Sequence, residues 1–416
     1  MTTAWTRGTV DETVGAVNAL TARWAAVAAG DARSADSARN GTVFSAAGVW
    51  PLLAFLADAA AGPARTELAE AVGLPAGQAA DRAREFLAAL DGLRGVDAAL
   101  GLWTHRRVKV REEWAGKLGP HTHRKLTGWR AVDRRALDAW AAERTGGRVP
   151  RMPADLGRDT LLLLASALTP ATRWVRPFTA GSAYPGTGPW NGRRLAGLSR
   201  TTRLLHRVGV ADTPDGHVTR LRVVGDRGID VHLLLGEPGT PAGRVLAAGV
   251  DLIAGRRELV TGDVLPPGEA GPGLSVSRVR NWYPARPRLH VDTVAFDVTA
   301  GHDLTACAEV FGLRAATGGS AGHFPGISGK ELAVARARQS ATAAFTDGGF
   351  EAAVVTAVEM GEGSAAMPEP QYVNTEVRAR FERPFGFLAV HQASGLVLAS
   401  GWVTDPQPYR AALMDW

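Results

Sequence analysis

Apolar residues recur at every third or fourth position over several stretches of the chain, a spacing that predicts helices with one buried face. Residues 10–29 and 63–92 show this spacing, and so does Asp133–Thr145. Val49–Ala60 is a shorter, almost wholly apolar run that follows a turn and a strand-like segment at Asn40–Ser45. The first third of the chain is therefore predicted to be rich in helix.

Other stretches predict strands. Val96–Leu102 is strand-like, and Thr160–Leu168 is almost wholly apolar, as a strand buried on both faces should be. Val218–Val224 and Ile229–Leu235 form a predicted strand pair, because the Gly and Asp residues between them favour a turn. Gly and Pro are frequent over residues 237–273, which predicts loops there.

A strand-like alternation also follows two adjacent glycines near residue 348. From Phe350 to Met360, one alternate set of residues is apolar except for Thr356, whereas the other set begins and ends in glutamate. Alternate residues of a strand point to opposite faces, so one face suits burial and the other suits water. An ordinary half-buried strand explains this pattern. The glycines before it and the Gly- and Pro-containing stretch up to Arg380 favour a mobile loop instead.

The composition is that of a large globular protein. The chain has 416 residues, of which 45% are hydrophobic, and length alone would suggest about two or three domains. The single cysteine, Cys307, excludes an internal disulfide. Acidic residues precede the first apolar stretch and Arg23 interrupts it, so the N-terminus is not typical of a secretory signal. No apolar run approaches the ~20 residues of a membrane span, and we expect a cytoplasmic protein unless another route exports it.

Positive charge is concentrated in two segments of the chain, whose net charge is +6. These basic patches are His105–Arg111 and the region from His121 to Arg135. Such patches attract polyanions, which makes a polyanion a candidate partner. No aromatic interleaving or nucleic-acid motif accompanies them, so solvated faces of an arginine-rich chain also explain them, and no nucleic-acid partner is expected.

The sequence carries no motif for catalysis or for a cofactor. Its histidines lie at no metal-ligand spacing, and it lacks a nucleophile elbow, a phosphate loop and a dinucleotide fingerprint. His302 and Asp303 precede a predicted helix, where capping explains Asp303 better than catalysis does. The Gly-rich stretch Ala316–Gly322 lacks a preceding strand and a lysine, so it is predicted to be a flexible loop. We expect no metal, no cofactor and no catalytic residues in this chain.

Individually weak motifs occur in a consistent order over about three quarters of the chain. They are Asn40–Ser45 with its following helix, Leu137-Asp138-x-Trp140, Thr145-x-Gly147-x-Val149, Trp174 and Phe178 after an apolar strand, Phe311-Gly312-Leu313, Gly326-Ile327-Ser328 and the C-terminal Phe381–Pro406. In this order the chain resembles a serpin of a divergent, bacterial type. The resemblance implies an α+β serpin fold with large mixed β-sheets, surrounding helices and an exposed reactive-centre loop. It also implies that residues 1–416 form a single domain and that the protein is a monomer. The loop is implied to lie at about 347–380.

In the serpin family the loop is bait for a protease, and after cleavage it inserts as a new central strand of the main sheet. The resemblance therefore implies inhibition of a serine or cysteine protease that itself supplies the catalysis. The implied hinge consists of Asp347, Gly348, Gly349, Phe350, Glu351, Ala352, Ala353, Val354, Val355 and Thr356.

Two counts place the cleaved bond differently. Counting forward from the hinge gives Gly363-Ser364, whereas counting back from the C-terminal motif gives a bond near Val373-Asn374. Strand insertion is measured from the hinge, so the forward count is preferred. Met367 is a third candidate, although the proline after it disfavours most serine proteases.

Breach and shutter are the family's names for the top and the centre of the main sheet, where the loop inserts and where the sheet opens. The resemblance assigns Trp174 and Arg288 to the breach, with Arg288 in reach of Asp347. It assigns Ser45, Ser166 and Gln339 to the shutter.

Several positions depart from the family pattern. Gln339 replaces a histidine, Ser166 an asparagine, and Gly48 a serine, so the shutter is either rebuilt or abandoned. Phe350 stands where the family generally carries Thr or Ser. An overpacked ring there would cost about 1–3 kcal/mol and slow insertion about five- to 150-fold.

These departures keep two further functions open. One is a non-inhibitory serpin that serves as a binding scaffold or carrier. The other, less favoured, is a biosynthetic enzyme built on the serpin scaffold, for which the sequence names no substrate.

Overall fold

Nine helices occur in the part of the chain that the structure, a computed structural model, describes: residues 7–28, 41–118, 122–147, 149–152, 156, 160–317, 322–350 and 372–410. They are α1 Arg7–Ala28, α2 Ala46–Ala59, α3 Gly62–Val72, α4 Ala76–Asp91, α5 Glu112–Lys117, α6 Arg130–Arg144, α7 Ala242–Ile253, α8 Ala308–Phe311 and α9 Arg314–Thr317. Among these helices, none combines the length and the apolar character that crossing a bilayer requires.

Twenty strands of the described chain form three sheets. They are β1 Thr42–Phe44, β2 Val96–His105, β3 His123–Leu126, β4 Leu162–Pro170, β5 Thr172–Arg173, β6 Thr179–Ala183, β7 Leu195–Thr202, β8 Val208–Thr213, β9 Gly216–Val223, β10 Ile229–Gly236, β11 Val260–Thr261, β12 Gly268–Gly271, β13 Leu274–Asn281, β14 Arg288–Val294, β15 Phe296–Asp303, β16 Arg336–Phe345, β17 Gly349–Phe350, β18 Tyr372–Arg380, β19 Phe385–His391 and β20 Val397–Val403.

The main sheet has the strand order β3-β2-β4-β16-β17-β5, and β15 pairs with the other edge of β16. Its central strands β4 and β16 are parallel, whereas β2 runs antiparallel to β4 and β15 antiparallel to β16. The second sheet has the order β1-β20-β19-β10-β9-β8-β11, and the third has the order β12-β13-β18-β14-β7-β6. This mixture of helices with large mixed sheets is the α+β architecture that the sequence predicts.

Helices cover both faces of the main sheet. Alternate residues of β4 point to opposite faces, and Leu163 on one face packs beneath Leu137 and Trp140 of α6. On the other face, α2, which is apolar except for Asp58, lies beneath Ser166 and the strands around it. The helix predicted at Asp133–Thr145 is therefore confirmed as α6, which covers one face of the main sheet.

The predicted helices are confirmed, one of them is divided in two, and α5, α7 and α9 are additional. Residues 63–92 form two helices, because Gly73 ends α3 in the left-handed region at φ 74°, a conformation that favours glycine. The loops predicted for 237–273 are partly wrong, since α7 lies within that range. Its buried face, which includes Leu246 and Val250, has helical spacing that the local abundance of Gly and Pro concealed.

The contact between α1 and α7 requires glycine at position 243. A Cβ on Gly243 would lie 2.6 Å from the Ala25 carbonyl oxygen, whereas one on Gly15, also within a helix, meets no atom within 4 Å. We expect Gly243→Ala to lower the free energy of unfolding by about 1–3 kcal/mol. Gly15→Ala, the matched control, should raise it by about 0.5–1 kcal/mol. Urea denaturation followed by circular dichroism measures both, and equal effects of the two substitutions would contradict this packing.

Candidate functional site

The main sheet is closed along one part of its centre and parted at one end. The parallel strands β4 and β16 pair from Leu163 with Arg336 to Ala167 with Ser340. Beyond Ser340 the direct pairing stops, and the short strand β17 lies between Phe345 of β16 and β5. The hinge begins at this opening.

The start of the predicted hinge is a tight hairpin. Phe350 of β17 is opposite Phe345 of β16, with residues Thr346–Gly349 between them. The backbone N–H of Thr346 donates to the Gly349 carbonyl at 2.9 Å, and the N–H of Gly349 donates to the Thr346 hydroxyl at 3.3 Å. On its other side β17 pairs with β5, so it is held by strands on both edges.

N–H groups of the segment Trp174–Phe178 hold the hairpin turn by donating to the carbonyl groups of the turn. The indole N–H of Trp174 donates to the Thr346 carbonyl at 2.8 Å. The backbone N–H groups of Phe178 and Trp174 donate to the carbonyls of Asp347 and Gly348, each at 2.9 Å. Because the indole and the Thr346 carbonyl are buried, separating them would leave unsatisfied polar groups.

Aromatic rings pack around the hairpin. The ring centroid of Phe345 lies 4.7 Å from that of Trp174 and 5.4 Å from that of Phe296. Phe350 is 0% exposed, and its ring lies 5.8 Å from Phe387. The expectation that Phe350 would obstruct insertion therefore needs correction. Its ring is already part of the core, so its burial does not contribute to the barrier for the residues that follow.

The shutter is rebuilt around the Gln339 side chain. Its Oε1 accepts from the Ser45 backbone N–H at 2.7 Å, while its Nε2 donates to the Ser45 carbonyl at 2.8 Å and to the Ser166 hydroxyl at 3.1 Å. The Ser45 hydroxyl donates to the Leu398 carbonyl at 2.6 Å. One amide thus connects β16, β4 and the start of α2. The shutter is therefore rebuilt rather than abandoned.

Gly48 leaves room for this amide. A Cβ at position 48 would lie 3.3 Å from the Gln339 Nε2 and 3.7 Å from the Ser166 hydroxyl. A serine there would crowd the buried side chain. The departures at positions 48 and 339 therefore fit one another, although the sequence alone presented them as separate changes.

The predicted pairing of Arg288 with Asp347 is not formed. Within the described chain, no ion pair joins these residues at 4.0 Å or less, and Arg288 is exposed in β14 opposite Glu376. The Asp347 backbone, rather than its carboxylate, makes the contact with the breach. Thr346, which no sequence motif marks, supplies the side chain that fixes the turn.

The predicted loop bounds of 347–380 also need correction. Asp347–Phe350 belongs to the hairpin, and Tyr372–Arg380 is the strand β18, paired with β13 and β14. The alternative bond near Val373-Asn374 lies within that paired strand and is not presented as a loop. The predicted hinge residues 351–356 and the bond Gly363-Ser364 lie outside the described residues.

Two other predicted features have structural contacts. The Asp303 carboxylate accepts from the Thr305 N–H at 3.0 Å and pairs with Arg338 at 3.0 Å, while the His302 Nε2 lies 2.9 Å from the Val43 carbonyl oxygen. Asp303 therefore fixes a turn. In the part of the chain that is described, no three His, Cys, Asp or Glu residues form a group able to hold a metal ion.

The two basic patches adjoin where β2 and β3 end. His105 is opposite Leu126, and the Arg106 N–H donates to the Leu126 carbonyl at 2.8 Å. Arg106 and Arg107 are exposed, whereas His105 is buried. The patches therefore form one surface, but His105 does not contribute its side chain to it.

Comparisons with known proteins agree with this architecture. A family model described as serpin (serine protease inhibitor) matches residues 27–186. No curated protein sequence matches the chain.

Among solved structures, human thyroxine-binding globulin complexed with thyroxine superimposes with a TM-score of 0.69 and 15% identity, covering 96% of this chain and 98% of that one. Serpin48 of the insect Tenebrio molitor gives 0.67 and 16%, covering 95% and 98%. Native protease nexin-1 with heparin gives 0.68 and 15%, covering 94% and 99%.

These likenesses show a serpin fold over nearly the whole chain. The family match adds a likeness in sequence over residues 27–186.

The hinge glycines provide a matched pair of substitutions. A Cβ on Gly349 would lie 2.5 Å from the Thr172 carbonyl oxygen, whereas a Cβ on Gly348 meets no atom within 4 Å. We expect Gly349→Ala to destabilise the hairpin by about 1–3 kcal/mol and to speed amide hydrogen exchange over 346–350 about five- to 150-fold. Gly348→Ala should leave exchange unchanged. Equal protection in both variants would show that β17 is not held as described.

The rebuilt shutter also has a nearby control. We expect Gln339→Leu to lower the free energy of unfolding by about 2–4 kcal/mol, because the buried Ser45 N–H and Ser166 hydroxyl lose the amide and the Ser45 carbonyl keeps only the Gly48 N–H. Ser340→Ala, on the next residue of β16, should cost less than about 1 kcal/mol. Denaturant titration measures both. A Gln339→Leu effect as small as that of Ser340→Ala would show that the amide does not hold the strands together.

Proposed function

We propose that this protein is a serpin, which inhibits a serine or cysteine protease through cleavage of its loop and insertion of the cleaved segment into the main sheet. The observation that carries the proposal is the position of β17 between β16 and β5. Gly349–Phe350 occupies the first position of a new central strand while β4 and β16 are still paired below it.

The direction of β17 supports insertion. It runs antiparallel to β16, so a chain continuing from Phe350 in the same direction would run between β16 and β4. Four residues of β16, 341–344, lie between the hairpin and the first direct pair with β4. At about 3.3 Å per residue they open a slot of about 13 Å, lined on the β16 side mainly by small alanines.

The hydrogen-bond balance favours the inserted state. Insertion breaks the parallel pairing of Arg336–Ser340 with Leu163–Ala167 and replaces it with antiparallel pairing on both edges of the new strand. Antiparallel pairing is slightly the more stable per residue. The Gln339–Ser166 bond must also break, but the two bonds from Gln339 to the Ser45 backbone can remain because they do not cross the gap.

The covering helix α6 adds resistance to insertion. Trp140 meets Trp103 edge-on with ring centroids 5.9 Å apart, and both rings are buried against β2 and β4. Spreading β4 from β16 changes the surface on which α6 packs, so α6 must shift with it. The inhibitor therefore keeps its sheet closed through the shutter on one face and α6 on the other.

The protease supplies the catalytic groups in this mechanism. Its nucleophile attacks the carbonyl carbon of the cleaved bond, the new amine leaves with the C-terminal part, and an acyl-enzyme remains on the loop. Insertion must then outrun hydrolysis of the acyl-enzyme. We propose Gly363-Ser364 as the cleaved bond, since the hinge from which insertion is counted lies where that count assumed.

The exposed basic surface at Arg106 and Arg107 is a secondary candidate contact for a polyanion.

The matched test uses two neighbouring valines. In a strand continuing from Phe350, Val354 shares the buried face of Phe350 and Val355 faces the opposite way. We expect Val354→Arg to abolish the SDS-stable complex with a protease that cuts within 361–373, because a charge cannot enter the core. Val355→Arg should retain the complex.

Thermal stability before and after cleavage distinguishes inhibition from the alternative. We expect cleavage of the unsubstituted protein to raise the melting temperature markedly, and cleavage of the Val354→Arg variant to raise it little. Cleavage without any rise, and without a complex across a protease panel, would overturn inhibition and favour a non-inhibitory binding or carrier function.

A further inference from the structure

Five arginines and one histidine gather where the second and third sheets meet, beside the breach. This arginine cluster consists of Arg176, Arg200, Arg207, Arg220, Arg222 and His232. Arg220 and Arg222 are alternate residues of β9 and so share a face. His232 of β10 is directly opposite Arg222. Arg207 immediately precedes β8, whose Val208 is opposite Leu221.

Asp230 is the carboxylate that pairs with the cluster, and its hydrogen-bonding capacity is already used. Its Oδ2 accepts from the Arg222 Nε at 2.6 Å. Its Oδ1 accepts from the Gln392 Nε2 at 2.6 Å and from the Gly225 N–H at 3.2 Å. Five guanidinium groups and one carboxylate leave a surplus of four positive charges. Within the described chain, Arg176, Arg200, Arg207 and Arg220 form no ion pair.

Two donors of the cluster, the Nε groups of Arg200 and Arg220, are buried without a partner among the described residues. The Nδ1 of His232, a residue only 5% exposed, also has no partner there. Arg200 is held in place, since its guanidinium lies 4.4 Å above the Phe178 ring and donates to the Arg176 carbonyl at 2.8 Å. Buried donors are rarely left without an acceptor, and here they belong to residues that are positioned rather than free to turn towards water.

Electrostatics describe the same arrangement. Burial, together with neighbouring arginine charges, lowers the pKa of Arg200 and of Arg220 to about 10. Burial lowers the pKa of Arg207, and the charges of Arg222 and Arg176 lower it further. These groups stay charged at neutral pH, so the cluster concentrates positive charge that the protein itself does not neutralise.

We propose that the arginine cluster binds a compact, multiply charged oxyanion of the phosphate or sulfate class. Guanidinium groups present paired N–H donors that match the oxygens of such groups, and an oxyanion would neutralise the surplus positive charge of the cluster. The half-buried setting of Arg200 and Arg220 suits a small molecule with adjacent phosphates better than a long polymer, which needs an exposed track. A sulfated polysaccharide end is the other source of the same chemistry. The site is independent of protease inhibition.

The test titrates sodium pyrophosphate into the full chain by calorimetry and thermal unfolding, in a phosphate-free buffer with ionic strength matched by NaCl. We expect saturable binding and a melting temperature that rises with pyrophosphate concentration. Arg220→Lys keeps the charge but loses the paired N–H donors of the guanidinium. This substitution and Arg200→Gln should each weaken pyrophosphate binding about tenfold or more. Arg107→Gln, on the exposed basic patch, is the control and should bind as the unsubstituted protein does.

The outcomes distinguish a small phosphate compound from a sulfated polysaccharide as the bound anion, and the arginine cluster from the basic patch at Arg107 as the site. Heparin binding that Arg200→Gln abolishes, without pyrophosphate binding, would assign the cluster to a sulfated polymer. No stabilisation beyond that of NaCl by either anion would overturn the proposal. So would a loss of binding in Arg107→Gln equal to the loss in the cluster variants. Because Arg200→Gln and Arg220→Lys do not break a described ion pair, comparison of their melting temperatures without anion shows whether folding is unaffected.

Discussion

The short parallel pairing of β4 with β16 is the constraint on which the rest of the structure depends. Two strands that could pair along their length do so over residues 336–340 of β16 only, and the space above is filled at its top by β17. The Gln339 amide holds the pair from one face and α6 from the other. The native sheet is therefore held by local contacts at its centre, while its upper end is already prepared for another strand.

The sequence predicts most of this arrangement, because its signals are local and ordered along the chain. The apolar run Thr160–Leu168 identifies the central strand, and the spacing to Trp174 and Phe178 identifies the segment that holds the hinge hairpin. The hydrogen bonds could not be predicted: nothing in the sequence shows that Gln339 reaches the Ser45 backbone or that Asp347 uses its carbonyl rather than its carboxylate. The cost assigned to Phe350 was wrong because the partner Phe387 is supplied by a distant strand.

The segment Trp174–Phe178 serves both surfaces described above. Its backbone and indole N–H groups hold the hinge carbonyls, while its Phe178 ring and the Arg176 carbonyl position Arg200. The arginine cluster escapes sequence reasoning because its members come from separate strands and loops between 176 and 232. No charge run marks them, whereas the basic patches that the sequence does mark are exposed.

The fit between Gly48 and Gln339 has a consequence for how this shutter arose. A Cβ at position 48 would press on the amide nitrogen at 3.3 Å, and a shorter side chain at 339 would leave a void beside the glycine. Each change is therefore unfavourable without the other. The residues at the two sites should therefore change together.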